Sequence, residues 1–251
     1  KRREGFSYYD EPSMTGRLAG RLAGRVAVIT GASRGIGAAV AKGFAAEGAH
    51  VILVARTIGG LEEVDDEIKA AGGSATLVVM DLRDYPAIDR LGASIYERWG
   101  KLDILVANGG ILGKLMPIHQ YDPELWEEVI AVNLTANQRL TRSLDPLLRQ
   151  SDAGRAVYVT SGAAHGDRPY WGAYAVSKAA LEAMVRSYAA ETRKTNLRVN
   201  MLNPAATRTG MRAEAFPGED PMSLKTPEDL VPLFIDLASP ECRRHGDLVN
   251  P

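Results

Sequence analysis

Six short, mostly apolar segments alternate with longer helical patterns from residue 25 onward, and this alternation constrains the fold more than any other feature of the sequence. The predicted strands are residues 26–30, 51–55, 76–80, 104–107, 156–160 and 197–202, and the predicted helices are residues 36–47, 61–71, 86–99, 123–149 and 173–194. Strands that are apolar on both faces are typical of parallel sheets covered by helices on both sides. The pattern therefore predicts an α/β fold: a doubly wound parallel sheet in a three-layer αβα arrangement and a single domain.

Two regions fall outside this regular pattern. Residues 1–24 are expected to form an N-terminal surface arm, disordered or foreign to the native chain before Met14, because their short Gly-Arg-Leu-Ala repeat cannot build a solenoid. Residues 207–226 combine Gly210, Pro217 and Gly218 with apolar side chains, which predicts a long loop or a mobile pair of short helices over a substrate site. Alternatively, those apolar side chains cover the surface or an oligomer contact.

Composition argues against several classes of partner. The chain carries 30 Lys and Arg against 31 Asp and Glu, a formal charge of -1, which gives no broad electrostatic reason to bind nucleic acid. Cys242 is the only cysteine, so neither an internal disulfide nor a cysteine-rich zinc site can form, and a reducing, cytoplasmic location is expected. No apolar run approaches the roughly 20 residues of a membrane span, and no cluster of histidines and carboxylates suggests a metal.

A glycine-rich turn joins the first predicted strand to the first predicted helix, with the sequence Thr30-Gly31-Ala32-Ser33-Arg34-Gly35-Ile36-Gly37. Such a turn lets the backbone approach a pyrophosphate, and the helix N-terminus then faces the anion. No Gly-Lys-Ser/Thr follows, which excludes the phosphate-binding loop of nucleotide hydrolases. The turn alone would fit an ordinary strand-to-helix connection, but its βαβ setting favours a dinucleotide.

The residues near the second and third strands indicate which dinucleotide is bound. An acidic residue at the end of the second strand would bind the ribose of NAD, but Arg56 follows that strand instead. Arg34 and Arg56 together can bind a 2′-phosphate, so NADP is predicted in preference to NAD unless both are solvated surface charges. Asp81 can accept a hydrogen bond from the adenine amino group, although a helix-capping role for Asp81 or Asp84 is the alternative.

Tyr174 and Lys178 are four positions apart and therefore lie on the same face of a predicted helix. A neighbouring ammonium favours the phenolate, which predicts that Lys178 lowers the pKa of Tyr174 toward the range of a proton donor and acceptor. Ser161 follows the fifth predicted strand, where open α/β sheets place their sites, and its hydroxyl can bind a substrate oxygen.

The Thr-Gly-x-x-x-Gly-x-Gly turn, Ser161 and the Tyr174-x-x-x-Lys178 pair together resemble the short-chain dehydrogenase/reductase family, and the match runs from about residue 25 to the end. The stretches 171–174, 205–209 and 211–217 resemble a bacterial subgroup of that family whose substrates are largely unassigned. The resemblance implies a Rossmann-type fold, a general acid/base in Tyr174, a ribose ligand in Lys178, a carbonyl-polarising group in Ser161 and a relay water held by Asn133.

The resemblance also implies a set of cofactor-binding residues and no metal ligand. The cofactor-binding set is Gly31, Ser33, Arg34, Gly35, Ile36, Gly37, Arg56, Asp81, Leu82, Asn108, Gly109, Tyr174, Lys178, Pro204, Thr207 and Thr209. Two positions depart from the family pattern: Gly109 replaces an alanine, and Ala205 replaces a glycine after the sixth strand. The methyl group of Ala205 is expected to affect how closely the backbone approaches the nicotinamide ring.

These residues predict that 25–251 form a dinucleotide-binding catalytic domain: an NADP(H)-dependent oxidoreductase that interconverts a carbonyl and a secondary alcohol. A catalytically silent dinucleotide-binding regulator and, among enzymes, a 3-oxoacyl-thioester reductase are the alternatives, since family likeness names no substrate. The expected pocket walls are Ile111, Leu112, His165, Tyr170, Trp171, Met211 and Phe216, with a solvated loop position as the alternative for His165. By resemblance, a homodimer or homotetramer forms through the helices at 123–149 and 173–194, although their small residues equally fit an internal core.

Overall fold

The central feature of the structure, a computed structural model that describes residues 20–251, is a seven-stranded sheet in the order β3-β2-β1-β4-β5-β6-β7. Every neighbouring pair of strands is parallel. The strands are β1 (Val26–Thr30), β2 (His50–Ala55), β3 (Ser74–Val79), β4 (Ile104–Ala107), β5 (Arg155–Val159), β6 (Arg198–Leu202) and β7 (Leu248–Val249). The chain order reverses between β1 and β4, and sheets of this kind bind ligands beside such a reversal.

Helices cover both faces of the sheet and enclose two separate apolar cores. The helices are α1 (Gly35–Ala46), α2 (Ile58–Ala70), α3 (Tyr85–Trp99), α4 (Pro123–Ile130), α5 (Ala136–Gln150), α6 (Gly172–Thr192), α7 (Gly210–Ala215) and α8 (Val231–Ala238). One core joins α1, α2 and α8 to the sheet around Phe44 and Phe234, and the other joins α3, α5 and α6 around Leu140 and Leu181. The predicted three-layer, Rossmann-type single domain is therefore confirmed.

The six predicted strands all occur, with ends that differ by two residues or fewer. Five of them are buried along nearly their whole length, whereas the edge strand β3 is only partly buried. Strand β7 and helix α8 were not predicted. Strand β7 has only two residues, which pair with Met201 and Leu202 of β6, and so short a segment carries no period. The predicted arm lies outside the described residues up to residue 19.

The helix predicted over residues 123–149 is interrupted, which corrects the expectation of one continuous α-helix. A π-helical turn, Ala131–Thr135, separates α4 from α5 and carries Asn133. A π turn widens the helix by one residue per turn, and such turns often occur at functional sites. Hydrophobic spacing gives no sign of it, because the residues before and after the turn keep helical patterns.

The stretch 207–226 contains two short helical segments, α7 and a 3-10 turn, Pro221–Ser223. The hydroxyl of Thr209 accepts a hydrogen bond from the backbone N–H of Arg212 at 3.1 Å and so caps α7. The carboxylate of Asp220 caps the second segment in the same way. Within the described part of the chain, no helix is both long and apolar enough to cross a membrane.

Candidate active site

A cavity of about 760 Å³ lies at the carboxyl ends of the strands and extends from the glycine-rich turn to α6 and α7. Most residues of the predicted site line it: Gly31, Ser33, Arg34, Gly35, Ile36, Arg56, Asp81, Leu82, Asn108, Gly109, Ser161, Tyr174, Lys178, Pro204, Thr207 and Thr209. Gly37 and Asn133 do not line the cavity, but each contacts residues that do. The fold thus brings together segments that follow six different strands, as the topology requires.

The glycine-rich turn leaves the start of α1 open toward the cavity. Gly35, the first residue of α1, has a φ of 56°, a left-handed conformation that favours glycine. Arg34 precedes the helix, and no side chain caps its first backbone N–H groups. Gly35 and Ile36 line the cavity, so these N–H groups form a site suited to an anion.

Gly37 allows α1 to pack closely on the turn. A Cβ atom at this position would overlap the carbonyl oxygen of Gly31 and lie 2.7 Å from Nδ2 of Asn108. The second glycine of the helix therefore allows close packing of α1 on the turn, while its predicted contact with a cofactor stays a prediction.

Asn108 and Thr30 join the turn after β1 to the turn after β4. Nδ2 of Asn108 donates to the carbonyl oxygen of Thr30 at 2.9 Å, and Oγ1 of Thr30 accepts from the backbone N–H groups of Asn108 and Gly109 at 3.1 and 2.9 Å. A Cβ atom on Gly109 would lie 2.7 Å from Cδ1 of Leu82. The glycine that departs from the family pattern therefore has a local cause, since Leu82 occupies the space an alanine methyl would take.

The arginine-rich end of the cavity contains Arg34 and Arg56, together with the carboxylates of Glu63 and Asp81. The guanidinium of Arg83, absent from the predicted site, donates to Asp81 at 2.8 and 3.2 Å. This hydrogen bonding lowers the pKa of Asp81, which keeps its carboxylate ionised as a hydrogen-bond acceptor.

The structure also distinguishes the two candidate helix caps in this region. Asp84 caps α3, with its carboxylate accepting from the backbone N–H of Ala87 at 3.0 Å. Asp81 makes no such contact with the helix and instead lines the cavity. The capping alternative for Asp81 is therefore wrong.

Tyr174 and Lys178 lie on the first two turns of α6, and both are buried at the cavity floor. Nζ of Lys178 donates to the carbonyl oxygen of Val159 at 2.8 Å and lies 5.8 Å from the centre of the Tyr174 ring. The hydroxyl of Ser161 hydrogen-bonds the Tyr174 phenol, and its oxygen also accepts from the backbone N–H of Ala163 at 3.2 Å. Three of the four predicted catalytic side chains, those of Ser161, Tyr174 and Lys178, therefore meet at one end of the cavity.

The ionisation of this group differs from the sequence expectation. Burial raises the pKa of Tyr174, opposed by the hydrogen bond to Ser161, so the expected lowering by Lys178 is not what the structure gives. Taking a phenolate out of water is unfavourable, and here that effect outweighs a cation 5.8 Å from the ring. Burial also lowers the pKa of Lys178 to about 8, although the charge of Glu182 opposes it. Tyr174 is thus a protonated phenol beside an ammonium that titrates near neutral pH.

Asn133 lies in the π-helical turn and is fully buried. Its Oδ1 accepts from the backbone N–H of Ile111 at 2.8 Å, and its Nδ2 donates to the carbonyl oxygen of Ile111 at 2.9 Å and to Oγ of Ser177 at 3.0 Å. The side chain thus fixes the loop at Ile111, which lines the cavity. A relay water would have to use the main-chain carbonyl, which accepts from Asn137 and retains a second lone pair.

Apolar side chains form the outer wall of the cavity beside Tyr174. Trp171 makes an edge contact with Tyr174, with ring centres 5.9 Å apart, and packs on Phe216 at 5.7 Å. Ile111, Leu112 and Met211 line the cavity as predicted. Phe216 contributes through Trp171, whereas Tyr170 is largely exposed, so it is not a wall residue.

An ion pair between Arg212 and Glu219 supports this wall and was not predicted. Nε and Nη2 of Arg212 each donate to Glu219 at 2.6 Å, and the guanidinium lies 3.7 Å from the centre of the Phe216 ring. His165 does not line the cavity, so the expectation of a wall residue is wrong, whereas its side chain is 54% exposed, as the solvated-loop alternative expects. Its Nε2 lies 3.0 Å from the buried carboxylate of Glu182.

Ala205 also lines the cavity and has a φ of 56°, in the left-handed region. A residue with a Cβ atom is disfavoured there by roughly 1–2 kcal/mol. The departure from the family glycine is therefore accommodated as local strain, with the backbone N–H of Ala205 donating to Oδ1 of Asn203 at 3.1 Å. Across residues 20–251, no group of His, Cys, Asp and Glu side chains could hold a metal ion.

Comparisons with known proteins agree with this geometry. A family model for short chain dehydrogenases matches residues 25–220. The oxidoreductase YciK of Escherichia coli strain K12 is 40% identical over 220 residues, which cover 86% of this chain and 87% of that protein. A short chain dehydrogenase structure from Salmonella enterica has a TM-score of 0.89 at 38% identity, covering 94% of this chain and 99% of that one. A short chain dehydrogenase from Escherichia coli CFT073, solved in complex with NADPH, has a TM-score of 0.88 at 39% identity and covers 93% and 99%.

Proposed function

Because the chain belongs to the short-chain dehydrogenase family, we propose that it is an NADP(H)-dependent oxidoreductase that interconverts a carbonyl group and a secondary alcohol. One observation carries this proposal. Ser161, Tyr174 and Lys178 meet at one end of a cavity whose other end contains Arg34 and Arg56. A cavity of about 760 Å³ is within the usual size range of cofactor sites.

The cavity fits a phosphorylated dinucleotide in shape and charge. The uncapped start of α1 suits a pyrophosphate, and the close packing at Gly37 keeps side chains away from it. Arg34 and Arg56 suit a 2′-phosphate, since each guanidinium can donate two hydrogen bonds to it. The NADPH complex of the Escherichia coli CFT073 relative supports the same choice of cofactor.

The proposed chemistry divides between the cofactor and the protein. When bound, the reduced nicotinamide supplies a hydride to the carbonyl carbon. Tyr174 then donates its phenolic proton to the carbonyl oxygen, and Ser161 donates a hydrogen bond to the same oxygen. The raised pKa of Tyr174 suits this role, because the phenol is protonated before the reaction.

Lys178 supports the proton transfer in two ways. Its ammonium stabilises the phenolate that remains on Tyr174 after the proton has left. One of its three N–H donors is bound by Val159, so two remain for the ribose hydroxyls of the cofactor. The reverse oxidation of an alcohol uses the same groups with the proton moving toward Tyr174.

The wall beside Tyr174 favours a substrate with an apolar body next to its carbonyl. Trp171, Leu112 and Met211 provide contact area without a free charge, while Arg212 is already paired with Glu219. Planar and branched apolar carbonyl compounds are therefore better candidates than sugars. An acyl thioester is compatible only if its polar carrier remains outside this wall.

The test is a screen of carbonyl compounds that follows the loss of NADPH absorbance, with NADPH affinity measured in parallel. We expect turnover with apolar ketones or aldehydes and weaker turnover with polyhydroxylated ones. The matched control is Leu112→Asn, which should reduce turnover of apolar compounds and leave NADPH affinity unchanged. Tight NADPH binding with no turnover on any compound would instead support a catalytically silent regulator.

A further inference from the structure

Glu182 is a fully buried carboxylate for which the proposed chemistry has no use. It lies on α6, one turn after Lys178, with a side chain that is 1% exposed. Oγ1 of Thr160 donates to its Oε1 at 2.7 Å. Its other oxygen lies 3.0 Å from Nε2 of His165 and 3.4 Å from Nη1 of Arg186. Burying a carboxylate is costly unless it is paired and hydrogen-bonded, so this position demands an explanation.

The partners of Glu182 belong to separate parts of the candidate site. Thr160 directly precedes Ser161 at the end of β5. His165 ends the 3-10 turn, Gly162–His165, that directly follows Ser161 and packs against α6. Glu182 therefore contacts the segment carrying Ser161 on both sides of that serine.

The carboxylate also acts on Lys178. The two residues are four apart on α6 and share a helix face. Nζ of Lys178 is buried, and its hydrogen bond to Val159 is to a neutral carbonyl. Within residues 20–251, the charge of Glu182 is what raises the pKa of Lys178 against the effect of burial.

From these contacts we propose that Glu182 is a positioning residue of the oxidoreductase site. Its carboxylate holds the segment carrying Ser161 against α6, and its charge keeps the ammonium of Lys178 protonated. The inference rests on the proposed function, because it assigns a role to Glu182 in that same site. Among the described residues, the groups that face Glu182 are Thr160, directly after β5, His165 from the 3-10 turn, and Arg186 and Lys178 from α6.

The electrostatic part is tested on the full-length protein without any substrate. Nitrogen-15 NMR of lysine side chains, with the Lys178 signal identified by Lys178→Arg, follows the ionisation of Lys178. The expected midpoint in the unaltered protein is about 8. Glu182→Gln keeps the size of the side chain and an acceptor for Thr160 but removes the charge. We expect the acid dissociation constant of Lys178 to rise about tenfold, which moves the midpoint to lower pH.

Arg186→Gln provides a matched variant with the opposite sign. Arg186 is half exposed, and its removal leaves the carboxylate with less compensating charge. The acid dissociation constant of Lys178 should then fall by up to about twofold at low ionic strength, which moves the midpoint slightly to higher pH. An unchanged midpoint in a folded Glu182→Gln protein would overturn the electrostatic part. If Glu182→Gln does not fold, a midpoint that falls in Arg186→Gln contradicts the proposal equally.

The positioning part is tested at Thr160, whose hydroxyl donates a hydrogen bond to Glu182. Loss of one such hydrogen bond corresponds to about a tenfold change in kcat. Thr160→Val keeps the shape and the charge of the site but removes the donor. We expect kcat to fall about tenfold with NADPH affinity and the Lys178 midpoint unchanged, and Thr160→Ser to restore kcat. Full turnover in Thr160→Val would contradict this part. Absence of any turnover in the unaltered protein would refute the proposed function, while the NMR titration would still decide whether Glu182 controls Lys178.

Discussion

Gly37, in α1, and Gly109, in the turn after β4, allow the same substitution, glycine to alanine, to be made against two different neighbours. In Gly37→Ala the new methyl group would overlap the backbone carbonyl oxygen of Gly31, which cannot move without displacing the turn. In Gly109→Ala the nearest atom is Cδ1 of Leu82 at 2.7 Å, the end of a flexible side chain that can rotate away. Neither glycine has a positive φ, so steric fit alone decides the outcome.

The expected magnitudes follow from these contacts. Overpacking against fixed atoms lowers stability by about 3 kcal/mol at the upper end of the usual range. Alanine has a better helix propensity than glycine, which raises stability by about 1 kcal/mol at Gly37, because this residue lies within α1. Gly37→Ala should therefore lose about 2 kcal/mol of stability, which for a chain of this size lowers Tm by about 4–8 °C. Gly109→Ala should lose about 1 kcal/mol, because the closest contact is the movable end of Leu82 and the next, Oγ1 of Thr30 at 3.2 Å, is only slightly too short.

The assay combines thermal unfolding without cofactor and fluorescence titration with NADPH. Displacement of Gly31 should raise the Kd for NADPH about tenfold in Gly37→Ala, if about 1.4 kcal/mol of the cost appears in binding. Gly109→Ala should bind NADPH nearly as well as the unaltered protein. Leu82→Ala combined with Gly109→Ala removes the neighbouring atom and is the control for the steric argument. Equal losses in the two single variants would refute the reasoning.

Three further predictions concern other parts of the cavity. Arg56→Asp should raise the Kd for NADPH about 10- to 100-fold while hardly changing that for NADH, and an equal effect on both would remove the 2′-phosphate role. Ala205→Gly should relieve strain at a φ of 56° and raise Tm by about 1–3 °C, whereas a lower Tm would show that the methyl group packs favourably. The rate of carbonyl reduction should fall as pH rises through about 8, since Lys178 then loses its proton, and a flat profile from pH 7 to about 9 would contradict that role.

The sequence predicted the sheet because its six longer strands are mostly apolar, a pattern that is local to each segment. It missed β7, whose two residues form a strand only because β6 offers an edge to pair with. It also missed the π-helical turn at Asn133, since a single inserted residue leaves helical spacing intact on both sides. Both features depend on contacts between distant parts of the chain, which a local sequence pattern does not show.

The candidate site divides in the same way. Ser161, Tyr174 and Lys178 could be predicted, because their order and spacing are visible in the sequence. The ionisation of Tyr174 could not, since burial rather than spacing raises its pKa. Glu182 was missed, because it acquires its role from partners on other segments, such as Thr160 at the end of β5.

The proposed proton transfer from Tyr174 is the central claim, and Tyr174→Phe tests it most directly. Phenylalanine keeps the ring that contacts Trp171 and removes only the hydroxyl. The measurement is kcat for NADPH-dependent reduction of one accepted carbonyl compound, with the Kd for NADPH determined on the same preparations. We predict that kcat falls roughly 100- to 10,000-fold while the Kd for NADPH stays within about threefold. A Tyr174→Phe protein that keeps full turnover would contradict the account.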